Sequence, residues 1–222
     1  MKAKRALREG EPDYNLAEEL ISAISHGLGA LFGVAALVLG LLAAADDGAA
    51  AVVGAAVYGG SMVLLYTCST IYPSLRVNMA KRVFRILDHC GVFLLIAGTY
   101  TPLLLVSMYS QSPTTAVVML VLIWAAAAVG IVFSSISLRR FRVLTTICYL
   151  TMGWSVIFTF SPMMRALGPL GTRLLVWGGV AYTLGAVLYG IGSKKRYFHS
   201  IFHFFVLAGS ILHFLCIYLC VL

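Results

Sequence analysis

Charge is what this sequence has least of. Only 11% of its 222 residues are Asp, Glu, Lys or Arg, and only eight are acidic. Soluble domains average about 25% charged residues. With 61% of the chain hydrophobic, there is too little polar surface to clothe a water-facing globule, so lipid must be the solvent. Low-complexity linkers and internal repeats are also missing, which leaves room for one helical bundle and little else. Strict apolar–polar alternation is absent, and the apolar runs are about twice the length of a barrel strand, which excludes a β-barrel. No CxxC pair occurs among the five cysteines. Cys68, Cys90, Cys148, Cys216 and Cys220 all fall in or at the ends of apolar runs, and they read as reduced packing residues. A cleavable signal peptide is not expected, because the first apolar run is too long for one.

What is present is a series of apolar runs. Seven stand out, at Ile21–Ala45, Ala49–Tyr72, Leu87–Met108, Thr114–Ser135, Leu144–Phe160, Thr172–Ile191 and Ser200–Leu222. About 20 helical residues cross a bilayer core. The expected fold is therefore an all-α bundle of seven transmembrane helices, with residues 1–20 an amino-terminal segment and 21–222 one membrane domain. The formal charge of +8 does not point to nucleic acid, because the basic residues lie in short clusters between the runs. Lys2, Lys4, Arg5 and Arg8 precede the first run; Arg76, Lys81, Arg82 and Arg85 follow the second. Arg139, Arg140 and Arg142 follow the fourth, and Lys194, Lys195 and Arg196 the sixth. That places fourteen basic residues on one side and only Arg165 and Arg173 on the other. Basic loops stay in the cytoplasm. The amino terminus is expected inside, the carboxyl terminus outside, and the location an inner (plasma) membrane.

With that topology, several polar residues share one depth. His26 enters the first helix, Ser69 lies near the end of the second, Asp88 and His89 open the third, and His199 and His203 open the seventh. Such residues are costly in lipid and face a cavity or one another. His199 and His203, four apart, share a helix face and can chelate one zinc ion. The bland alternative is an interfacial pair hydrogen-bonded to loop carbonyls. Asp88 can bind a metal or orient its ligands; it can equally be a carboxylate favoured by a helix start. His89 points roughly 100° away from Asp88. His213 lies too deep for the same ion and reads as a packed histidine. Glu18, Ser22 and His26 form one polar stripe, either a solvated helix start or a cavity wall. Tyr100-Thr101-Pro102 reads as a packing kink.

Those residues carry a resemblance. Glu18-Glu19, Ser25-His26-Gly27, Ser69-Thr70-Ile71-Tyr72, Asp88-His89-Cys90-Gly91 and Ala97-Gly98-Thr99-Tyr100-Thr101-Pro102 belong to it. So do Met152-Gly153-Trp154, Gly178-Gly179-Val180, His199-Ser200-Ile201-Phe202-His203 and Phe205-Val206-Leu207-Ala208-Gly209. From about Tyr14 onward the chain resembles the bacterial hemolysin III family, within the progestin and adipoQ receptor superfamily. The resemblance implies seven helices with an inside amino terminus, and a zinc site at the cytoplasmic end. It implies His199, His203 and Asp88 as the metal set, with Ser69 and Asp88 in catalytic roles. Two positions depart from the pattern. Pro73 stands where the family's second helix carries its metal-binding histidine, and Ser22 where the family has asparagine. His26 or His89 would be the substitute ligands.

The superfamily resembles membrane hydrolases such as the alkaline ceramidases. The function it implies is zinc-dependent (Zn2+) hydrolysis of a lipid amide or ester, with membrane lipid as the partner. A non-catalytic lipid sensor and a cytolytic pore are the alternatives. No oligomeric state, substrate or pathway is legible in the sequence.

Overall fold

A computed structural model describes residues 16–75, 79–138, 140–192 and 198–222. Within these, the side chains at 16–20, 22–23, 73, 142, 191–192 and 198–200 are outside the description. The described chain is helical throughout, with no strand among the described residues. The helices are α1 (Leu16–Ala44), α2 (Ala49–Ser74), α3 (Met79–Pro102), α4 (Pro113–Ile136), α5 (Arg142–Trp154), α6 (Phe160–Gly192) and α7 (Phe198–Cys220). Among the described residues, six stretches are long and apolar enough to cross a membrane. The surface is inside-out relative to a soluble protein: Phe158, Val143 and Leu31 are 84%, 71% and 70% exposed. Water would not tolerate so continuous an apolar exterior.

Each helix ends for a local reason. Beyond α1, the Asp47 amide bonds the Ala44 carbonyl at 3.1 Å, and Gly48 takes φ 89°, a conformation that costs a residue with a Cβ. Proline opens α4, where its missing N–H is no loss. Pro102 closes α3 and passes into a π-helical turn, Leu103–Met108. After α5 the chain tightens into a 3-10 turn, Ser155–Thr159. Backbone groups freed inside lipid must find partners, and here the partner is a phenol. Tyr100 of α3 donates to the Gly153 carbonyl and accepts the Val156 amide, both at 2.9 Å. The Tyr100 triplet is therefore more than a kink: its hydroxyl repairs a break in a neighbouring helix.

The stretch Val143–Gly190 is apolar over 48 residues. As one straight helix it would run roughly 70 Å at 1.5 Å per residue. It does not run straight. Gly168, with φ 67° and ψ −175°, interrupts α6, and Pro169 follows. The indole of Trp154 then donates to Thr183 Oγ1 at 2.9 Å across 29 residues, so the chain doubles back. The expected loop around Arg165 and Arg173 is replaced by helix on both sides of one residue. Arg165 itself bonds Ser161 Oγ at 2.7 Å, one turn away along the helix. A positive-φ glycine plus proline makes the corner without spending residues on a loop.

The core runs along α2, α3 and α7, with Met62, Tyr66, Phe93, Leu103, Leu104 and Ile217 almost fully buried. Small residues let the helices close, as membrane packing requires. A Cβ on Gly29 of α1 would lie 2.4 Å from the Tyr66 ring of α2. A Cβ on Gly178 of α6 would lie 2.1 Å from the His213 ring of α7.

Candidate functional site

At the end of the bundle where α1, α3 and α7 begin and α2 ends, polar side chains meet. His26 of α1 and His203 of α7 are both buried, each 7% exposed. Their rings stand edge to face, with centroids 4.1 Å apart and an interplanar angle of 68°. The His26 ring also lies 5.9 Å from that of Tyr66 on α2. The approach depends on Gly29, one turn past His26, which has no Cβ to keep the Tyr66 ring away.

One turn beyond Tyr66 on α2 is Ser69, 4% exposed. Its hydroxyl donates to Oδ1 of Asp88 on α3 through a short hydrogen bond. His89 turns elsewhere. Its Nδ1 bonds the Arg85 carbonyl of its own helix at 2.9 Å and lies 3.8 Å from Asp88 Oδ2. Tyr149 of α5 donates to the His89 carbonyl at 2.8 Å. Of the residues singled out in the sequence, the structure brings together His26 with His203, and Ser69 with Asp88. The side chains of His199 and Pro73 lie outside the described residues, as does Ser22. Pro73 falls in the last turn of α2, and His199 in the first turn of α7. Among the described residues, no three His, Cys, Asp or Glu side chains form a group fit to hold a metal ion.

Beneath the histidine pair is a polar hub that the sequence did not reveal. Ser210 Oγ of α7 bonds Tyr66 OH of α2 at 2.8 Å and Tyr182 OH of α6 at 2.7 Å. Tyr58 OH donates to the Ser210 carbonyl at 3.3 Å. Four hydroxyl-bearing residues from three helices thereby lock α2, α6 and α7 at one level. A tyrosine in an apolar run gives no sign that its hydroxyl has a distant partner, so only the spacing His203 to Ser210, two turns on one helix, hinted at a shared face. His213 packs against Tyr182, with ring centroids 5.3 Å apart. Its Nε2 meets the Leu175 carbonyl at 3.1 Å, in keeping with a packed, hydrogen-bonded histidine. The five cysteines are free thiols, and Cys216 donates to the Gly171 carbonyl at 3.3 Å.

Residues 14–214 match the family described as Haemolysin-III related. Hemolysin-3 of Bacillus cereus is 41% identical over 201 residues, covering 90% of each chain. The hemolysin-3 homolog of Bacillus subtilis (strain 168) is 39% identical over 205 residues, or 92% of this chain and 94% of that one. More distantly, the monocyte to macrophage differentiation factor of Homo sapiens is 27% identical over 169 residues, 73% of this chain and 68% of that protein. The adiponectin receptor protein of Drosophila melanogaster is 32% identical over 160 residues, 60% of this chain and 34% of that protein. No solved structure matches. Six apolar membrane-length helical stretches and a family match over most of the chain lead to one statement: this is a multi-pass membrane protein that belongs to the haemolysin-III related family and is related to the adiponectin-receptor type of membrane protein.

Proposed function

We propose that the protein is a zinc-dependent hydrolase of lipid amide or ester bonds, with its site at the cytoplasmic end of a seven-crossing bundle in a bacterial inner membrane. The observation that carries it is the meeting of His26 with His203, with the His26 ring 5.9 Å from that of Tyr66, the α2 residue one turn before Ser69, which donates to Asp88. Two imidazoles and a carboxylate–hydroxyl pair, drawn from four helices, are the donor types that zinc and its neighbouring groups use. Seven crossings follow from counting the stretch that reverses at Gly168 as two. An inside amino terminus follows from the fourteen-to-two split of basic residues.

His199 and His203, with Asp88, would hold the ion. Zinc, when bound, polarises a carbonyl and brings the pKa of water down to about 7. The chain's own part is proton handling and orientation. Ser69 fixes Oδ1 of Asp88, so that Oδ2 is left to take a proton from water as it adds to the acyl carbon. Asp88 then returns that proton to the amine or alcohol as the C–N or C–O bond breaks. Ser69 can also donate to the developing oxyanion if it swings from Asp88. The membrane supplies the acyl substrate sideways between helices.

A second reading is favoured by Pro73. Without the family's helix-two histidine, the same pocket would bind a lipid as a sensor without turning it over. Turnover of labelled ceramides and phospholipids by the purified full-length protein, with zinc measured by mass spectrometry, separates the two. Hydrolysis by the wild type that is lost together with its zinc in His199→Ala/His203→Ala supports the enzyme. Stoichiometric zinc without hydrolysis of either lipid class supports the sensor. The cytolytic reading, suggested by the relatives' name, predicts ion flux in protein-loaded liposomes.

A further inference from the structure

We infer that the start of α3 is a binding site for the headgroup of an anionic phospholipid, held by Lys81 and Arg82 with Arg140 at the same level. The inference is independent of the zinc reading. Beyond position 47 the chain holds twelve basic residues and a single acid, Asp88, whose carboxylate is engaged by Ser69. The amino-terminal segment carries five acids, Glu9, Glu11, Asp13, Glu18 and Glu19, against four basic residues, so it does little to offset the excess. The balancing anions come from outside the chain, and the phosphates of a bilayer leaflet are the nearest source. Orientation in the membrane needs only the sign of these charges; a lipid site needs them held in place.

They are held in place here, and α3 begins with the wrong charges for a helix. The amino-terminal end of a helix favours anions. Yet the first turn of α3 has no acid, and Lys81, Arg82 and Arg85 fall in its first two turns. A phosphate placed there satisfies the cations and the helix end together. Two cations at this level are steadied by aromatic rings. Lys81 Nζ stands 5.5 Å from the ring centroid of Tyr72, in the last turn of α2. The Arg140 guanidinium stands 5.6 Å from that of Phe141, whose ring in turn meets Phe133 with centroids 5.0 Å apart. The levels agree because α4 ends alongside the start of α3: Cys90 Sγ lies 3.9 Å from both the Ile131 carbonyl and Ser135 Oγ.

Below the cations is a track for acyl chains. Met79, Val83 and Leu87, spaced four apart on α3, are all exposed and form one line along the helix. Arg82 is exposed as well and, three residues past Met79, flanks that line. Long cationic side chains at a helix start lean toward its amino-terminal end and keep their charges at the headgroup level. One side of α3 thus presents charge above and apolar surface below, in the order that a phospholipid presents its phosphodiester and its alkyl chains. Arg85 acts instead on the Asp88 carboxylate further along the helix and is left out of the site.

The test is native mass spectrometry of the purified full-length protein, released from micelles that hold equal amounts of phosphatidylglycerol and phosphatidylcholine with matched acyl chains. Wild type should retain phosphatidylglycerol in preference to phosphatidylcholine. A cation near an anionic lipid surface is worth roughly fivefold in affinity, so Lys81→Gln and Arg82→Gln should each lower that preference roughly fivefold, and the double variant roughly 25-fold. Lys81→Arg/Arg82→Lys keeps the charges and should keep the preference. Arg165→Gln/Arg173→Gln removes the same charge at the other end of the bundle and should leave it unchanged. Excess inorganic phosphate should not displace the lipid. Circular dichroism and gel filtration establish that each variant is folded; Arg82 is exposed, so Arg82→Gln decides alone should the double variant fail there. No preference in wild type, an undiminished preference in folded Arg82→Gln, or an equal fall in Arg165→Gln/Arg173→Gln each overturns the inference. Displacement by phosphate would mean that the site takes a free anion, and the assignment to lipid would fall.

Discussion

Gly29 is where a single methyl group should do the most visible damage. A Cβ there would lie 2.4, 2.6 and 2.8 Å from three atoms of the Tyr66 ring. Ordinary contact begins near 3.4 Å, so one of the partners must retreat by about 1 Å. Tyr66 has little freedom to do so: it is 1% exposed, and its hydroxyl is tied to Ser210, which is tied to Tyr182. The strain therefore falls on α1. Overpacking of this kind costs typically 1–3 kcal/mol, and rigid surroundings place Gly29→Ala near 3. Alanine's better helix propensity offsets about 0.5–1 kcal/mol, which leaves roughly 2 kcal/mol of net destabilisation.

Gly27, two positions earlier on the same helix, meets nothing within 4 Å. Gly27→Ala should be neutral or stabilising by about 0.5–1 kcal/mol. The measurement is reversible unfolding in mixed detergent micelles, with Gly29→Ala, Gly27→Ala and Tyr66→Leu compared with wild type. Shrinking Tyr66 should relieve the clash, so Gly29→Ala/Tyr66→Leu should cost less than the two single changes together. Equal effects at positions 27 and 29, or strict additivity of the pair, would show that α1 does not rest on Tyr66 as described.

The remaining predictions concern other features of the bundle. Tyr100→Phe leaves the Val156 amide and Gly153 carbonyl without their phenol, and should destabilise by about 2–3 kcal/mol in the same assay; a loss below about 0.5 kcal/mol would mean another group satisfies them. Ser210→Ala removes the hydroxyl shared by Tyr66 and Tyr182, and at about 0.6 kcal/mol per bond in membranes should cost roughly 1 kcal/mol, again by unfolding. Pro73→His should be tolerated and tighten zinc binding by roughly tenfold or more, as read by chelator competition against the wild type. A reporter fused after Leu222 should give an external signal; a cytoplasmic one would mean that the reversal at Gly168 does not separate two crossings.

What the sequence determined by itself was mostly local. Sparse charge and long apolar runs made the chain a helical membrane protein, because hydropathy is set by the composition of a window and needs no tertiary partner. The polar residues at one end were also legible, since His26, Ser69, Asp88 and His203 stand at definite distances from the ends of their runs. The motifs carried the family. The corner at Gly168 was not read from the sequence, where the gap between the fifth and sixth apolar runs implied a loop, so Arg165 was expected in a loop and instead lies in a helix. What only the tertiary structure decided were pairings between helices. His26 meets His203, Tyr66 meets Ser210 across 144 residues, and Tyr100 reaches Val156 across 56. Such partners are chosen by how closely two helix backbones approach and by the rotation of each about its axis. A missing Cβ at Gly29 or Gly178 sets both, and its effect is felt only where the second helix arrives.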